Sequence, residues 1–165
     1  MTPPMLRQLR HDMWATERLL EHCRALSPPP LDLTVPGTYG TIRRTFAHIV
    51  RADERYLEQL GLVRRESLLD LDSATLADVA AHLDTVKAAV EKLFAGAEFE
   101  PDRWIPDTRE ASEELQPWTM VAQFVHHGSD HRAHIGTILG AHGLESPLLD
   151  VWTYGWETGA IRQRR

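Results

Sequence analysis

The sequence predicts an all-α fold, a four-helix bundle. Three observations carry this expectation. Four stretches of about twenty residues place their apolar side chains at three- and four-residue spacing, proline or glycine marks their ends, and no clear strand lies between them.

The first helix is expected over residues 4–25. Leu6, Leu9, Met13, Leu20 and Cys23 form its stripe, with Trp14 beside it. Ser27-Pro28-Pro29-Pro30 stops it, because proline has no amide hydrogen and clashes with the preceding turn. A loop to Gly40 follows, with a turn signal at Val35-Pro36-Gly37, and it is long enough to cross the top of the fold. The second helix, 41–60, carries Ile42, Phe46, Ile49, Val50, Leu57 and Leu60 on one face and ends at Gly61. The third, 75–95, starts at Thr75 with Asp78 as a cap and runs through Leu76, Val79, Ala80, Leu83, Val86, Val90 and Leu93 to a stop at Gly96. Residues 97–116 form a long, polar, irregular connection, with a short extended piece near Arg103-Trp104-Ile105. The fourth helix, 117–142, begins on a proline, which the first turn tolerates, and is capped by Gly143. The tail, 145–165, contains Trp152, Tyr154 and Trp156 and is expected to close over one end. No repeat or linker divides the chain, so residues 1–165 read as one domain. The order of the helices around the bundle stays open, up-down-up-down included.

Composition narrows the function classes. The net charge is −6 with histidine neutral, which lacks the basic footprint of a nucleic-acid binder. No apolar run approaches the roughly 18–20 residues that span a bilayer, so no membrane association is expected. Met1-Thr2-Pro3-Pro4-Met5 leads straight into a charged helix pattern rather than a secretory signal. The single cysteine, Cys23, rules out an intramolecular disulfide and reads as a small core residue. A cytoplasmic protein acting on a small molecule is the expectation. A glycine-rich phosphate loop, a Cys-x-x-Cys pair and a Gly-x-Ser-x-Gly elbow are absent from the sequence.

Histidine is the unusual residue: there are nine, four of them between His126 and His134. His127 and His131 are four apart, so one helical face presents both imidazoles, as a helix does when it gives two nitrogens to one metal. The apolar stripe of this helix is Val121, Phe124, Val125, Gly128, Ile135 and Leu139. His131 falls near its centre and His127 at its edge, His126 points to solvent, and His134 lies on the His127 side, farther from the core. A site needs a third donor from elsewhere. His48, the only histidine of the second helix, sits at the flank of its stripe, with Ala52 and Tyr56 on the same side. His11, His22, His82 and His142 read as isolated surface or core histidines. Asp53 falls inside the second stripe. A buried carboxylate is costly, so a bond to the Trp14 indole or to an arginine is expected, the alternative being a proton acceptor or a group that supports the metal ligands. The metal-bound imidazoles also need outward hydrogen bonds, for which Asp130, Gln123 and Asp53 are candidates.

These segments are similar to known ones. Trp14-Ala15-Thr16-Glu17-Arg18-Leu19-Leu20, Gly40-Thr41-Ile42-Arg43-Arg44-Thr45-Phe46-Ala47-His48-Ile49-Val50 and His127-Gly128-Ser129-Asp130-His131-Arg132 resemble, in this order and spacing, the motifs of the DinB/YfiT-like family of metal-dependent proteins. The resemblance spans nearly the whole chain. It implies a four-helix bundle, often a homodimer, with a metal site at His48, His127 and His131 for one divalent ion, zinc or nickel foremost. Some relatives are transferases or isomerases that use a low-molecular-weight thiol as cosubstrate. The implied function is a metal-dependent S-transferase acting on a small electrophile. A metal-dependent hydrolase and a non-catalytic, stress-related metal-binding dimer are the alternatives. A thiol that carries carboxylates would want a cationic rim, for which Arg43, Arg44, Arg51 and Arg132 are candidates. The sequence departs from the family where Arg132 is followed by Ala133-His134 rather than Gly-Gln, and where Asp130 replaces a bulkier residue. These changes bear on the substrate more than on the metal.

Overall fold

The computed structural model describes residues 3–64, 67–95 and 99–164. Four long helices are present: α1 (Pro4–Ala25), α2 (Ile42–Gln59), α3 (Leu76–Ala95) and α4 (Pro117–Ala141). A short helix, α5 (Val151–Glu157), follows. The long connection before α4 holds two short strands, β1 (Ile105–Pro106) and β2 (Glu114–Leu115), paired antiparallel with Ile105 opposite Leu115.

The ends form for the expected reasons. The Thr41 hydroxyl accepts from the Arg44 amide at 3.1 Å and starts α2. Thr75 and Asp78 cap each other reciprocally at the start of α3. Gly61 and Gly143, both at φ +73°, turn the chain out of α2 and α4. Gly96, the expected stop of α3, lies outside the described residues.

Helices α1 and α2 stand diagonally across the bundle, and each packs against both α3 and α4. Cross-links between helices fix their directions. Arg10 pairs with Glu91 while Arg24 reaches the Leu76 carbonyl, so α1 and α3 are antiparallel. Arg43 reaches the Ala74 carbonyl while Glu54 meets His82, so α2 and α3 are parallel. His48 meets His127 while Tyr56 meets Gln123, so α2 and α4 are antiparallel. The order is therefore up-down-down-up, not up-down-up-down. The 26–41 loop crosses to the diagonal. Leu9, Leu19, Phe46, Ile49, Leu83, Phe124, Ile135 and Leu139 fill the centre and are fully buried.

The tail does not close over an end. Helix α5 lies along α1: His11 bonds to the Leu149 carbonyl at 2.9 Å, Arg18 pairs with Glu157, and Tyr154 packs on His11 and Trp14. Trp152 and Trp156 face outward. Among the described residues, no helix is long and apolar enough to cross a membrane.

Candidate metal centre

The antiparallel contact of α2 with α4 brings His48 opposite His127 and His131. The three rings meet with centroids 4.5–4.8 Å apart in every pairing. The Nε2 atoms of His48 and His127 approach to 2.9 Å, and one donor nitrogen from each of the three rings lies within 4.8 Å of the others. Two nitrogens bound to one tetrahedral zinc are separated by about 3.3 Å, so small ring rotations would close the set. Among the described residues it is the only cluster of this kind. His126 is exposed, as its wheel position predicts. His134 stacks edge-on against His131 at 5.3 Å and stands outside the triad.

The donor chemistry fits a divalent cation. All three rings are half-buried, and burial, with mutual repulsion and nearby arginines, pushes the pKa of His48 and of His127 down to about 4. His131 is lowered too, first by burial and then by His134. Lone pairs are thus free at neutral pH without loss of a proton. The Nδ1 atoms of His127 and His131 are buried and make no hydrogen bond among the described residues.

A residue missed at the sequence level supports His48. Tyr39, at the end of the loop before α2, stacks on the His48 ring at 4.1 Å, meets His131 edge-on at 4.8 Å and joins its hydroxyl to His48 Nδ1 at 2.9 Å. When His48 Nε2 faces a metal, Nδ1–H donates to the Tyr39 oxygen and holds the ring in place. The expected outward partners are not found in that role. Asp130 is exposed, and among the described residues Gln123 reaches only the Tyr56 hydroxyl, at 3.5 Å. Asp53 is buried as expected, but its Oδ1 has no partner among the described residues, and the Trp14 indole bonds to Glu157 instead. The arginine near Asp53 is Arg132, which pairs with Asp12. Replacing Tyr39 with phenylalanine keeps the stacking and removes the hydrogen bond. We expect metal affinity to fall about 10- to 100-fold, read by zinc titration against a competing chelator, with the melting temperature of the metal-free protein nearly unchanged.

Burial also sets a pH dependence. An unfolded chain protonates histidine near 6.5, whereas the folded protein resists until about 4 at His48 and His127. Between these values the unfolded state binds more protons, so stability is full above about 6.5 and falls as the pH drops through this window. Thermal melts of the metal-free protein should show that slope, and it should shrink in the double variant His48→Gln, His127→Gln.

Fold and site together define an all-α bundle with a three-histidine cluster suited to a divalent metal. The DinB family profile matches residues 1–165, and the chain belongs to the DinB family. The crystal structure of a DinB-like protein from Bacillus cereus ATCC 10987 shares the fold. It is 19% identical, with a TM-score of 0.65, over 86% of this chain and 94% of that one. The chain has no match among curated proteins.

Proposed function

We propose that the protein is a divalent-metal-dependent enzyme in which His48, His127 and His131 are the ligands, and that it transfers a small thiol to a small electrophile. The supporting observation is the donor set: three neutral imidazoles from one chain and no carboxylate among them. Such a set leaves the full charge of the ion on the ion and leaves coordination positions for other molecules, the pattern of a catalytic rather than a closed structural site. Bound there, zinc or nickel would act as a Lewis acid and lower the pKa of a coordinated thiol or water.

The chain's own residues favour a thiol over water. A free thiol ionises near 8.5, far below water, so it needs little help from a base. Among the described residues no carboxylate hydrogen-bonds to a site imidazole, and Asp130, the nearest acid on α4, points to solvent. Tyr39 and Tyr56 supply aromatic walls on the two sides of the cluster, Tyr56 meeting His127 edge-on at 5.9 Å. They would exclude water from the flanks and present flat surfaces to an electrophile.

The zinc- and nickel-loaded protein should be incubated with common thiols and a panel of small electrophiles, beside ester and amide substrates. Thiol adducts that require metal are the expected product. Turnover of esters or amides alone would replace the transferase reading with a hydrolase. A full metal site with no turnover of any substrate would favour a metal-binding protein without catalysis.

A further inference from the structure

Helix α2 carries three arginines in the row that holds its histidine. Arg44, His48, Arg51 and Arg55 follow one another at four, three and four residues and so form one row along the helix. The Arg44 guanidinium lies 6.0 Å from the ring of Tyr39, which itself stacks on His48. The Arg55 guanidinium lies 5.3 Å from the ring of Tyr56, which itself meets His127. Two cations thus bracket the three imidazoles, each resting on a tyrosine that touches the cluster.

The row differs from the expected rim. Arg132 is buried against Asp12, and Arg43 is held by Asp32 and the Ala74 carbonyl. Arg44 is paired with Asp72 at 2.5 Å, and Arg51 reaches the Leu69 carbonyl and lies near Asp70. Arg55 is held by neither an acid nor a carbonyl among the described residues; its guanidinium rests on the Tyr56 ring. The acid of α4 next to the cluster in sequence, Asp130, is exposed. A chain of net charge −6 therefore keeps Arg55 without an acidic partner among the described residues, beside the place where the proposed ligands would add a doubly charged ion and no compensating charge. Uncompensated positive charge in a half-buried site favours an anionic ligand strongly.

We propose that Arg55 is the anchor for an oxyanion group of the substrate, with Arg51 beside it, so that the site takes a small molecule carrying a carboxylate or phosphate at one end and its metal-binding atom at the other. The planar guanidinium fork matches either oxyanion. The proposal rests on the metal reading above and names the substrate class for that site.

The test uses zinc-loaded wild type and the variants Arg55→Gln and Arg55→Lys, with zinc content measured in each. Calorimetric titration compares 3-mercaptopropionate with 2-mercaptoethanol, two thiols that differ in the carboxylate, and adds inorganic phosphate as a separate arm. The wild type should bind 3-mercaptopropionate about ten- to a hundredfold tighter than 2-mercaptoethanol. Arg55→Gln should erase that preference with zinc unchanged, and Arg55→Lys should keep part of it. Strong phosphate binding that is also lost in Arg55→Gln makes the oxyanion a phosphate. Equal preference in wild type and Arg55→Gln, both fully loaded, overturns the anchor. A wild type that takes up no zinc overturns the metal reading instead. The anchor is then judged on the metal-free protein, where phosphate or 3-mercaptopropionate must raise the melting temperature of the wild type and not of Arg55→Gln.

Discussion

Replacing Arg132 with alanine is expected to destabilise the protein by about 3–5 kcal/mol, the usual result of removing one partner from a buried ion pair. The Arg132 side chain is 5% exposed and that of Asp12 is 1% exposed, so solvent cannot take over for a missing partner. Arg132 Nη2 donates to Asp12 Oδ1 at 2.5 Å, and Nη1 donates to the Asp12 carbonyl and to Thr16 Oγ1 at 3.2 and 2.9 Å. These three bonds tie α4 to α1 one residue past His131. The interior around them holds a second acid. Asp53 is buried without a partner at Oδ1 among the described residues, and its pKa is raised well above 3.8, first by burial and then by the Asp12 charge. One arginine thus serves two buried carboxyls, and its loss leaves both without compensation. The same packing accounts for Gly128: a Cβ there would lie 2.7 Å from Arg132 Nη1 and from Asp12 Oδ2. Urea unfolding at pH 7 reads the effect. The double variant Arg132→Met, Asp12→Leu should recover much of the loss, since an apolar pair of similar volume leaves neither charge of the pair without its partner. A loss below about 1 kcal/mol in Arg132→Ala would show that the pair does not hold the two helices as argued.

The four long helices were legible because their stripes keep a helical period and their ends carry proline, glycine and threonine caps. Their order around the bundle was not, because apolar stripes look alike and direction is set by pairs such as Arg43 with Ala74 and His48 with His127. The three clustered histidines were legible from two features: the four-residue spacing on α4 and the lone histidine of α2. Arg132 was misread as a rim residue although its position shows otherwise. It lies four residues after Gly128 and three before Ile135, inside the same stripe, and Asp12 lies three after Leu9 in the stripe of α1. Two opposite charges in two apolar stripes are the sequence trace of a buried pair. Tyr39 had no such trace, because it sits in an irregular loop whose path depends on the fold as a whole. Arg55 was readable from the row Arg44, His48, Arg51, Arg55, but nothing local distinguishes a row that faces a site from one that faces water.

Replacing His131 with alanine is expected to abolish stoichiometric metal binding. Elemental analysis of the purified wild type should give about one zinc or nickel per chain, the ratio for a single three-donor site. His131 is the ring common to both sides of the cluster. It lies 4.7 Å from His48 and 4.5 Å from His127, and Tyr39 and His134 both pack against it. Without it, only one donor from α2 and one from α4 remain, and two imidazoles do not hold an ion that exchanges with buffer and chelator. The fall in affinity should exceed the 10- to 100-fold expected for loss of a supporting hydrogen bond, because a bond to the metal itself is removed. Stability of the metal-free protein should change little, since the ring is half-buried and bonded to no other side chain among the described residues, which separates loss of metal from loss of fold. His134→Ala is the matched control: it removes a neighbouring imidazole of the same helix outside the triad and should leave metal content at one per chain. Equal metal in wild type and His131→Ala would remove the centre on which both the thiol chemistry and the Arg55 anchor depend.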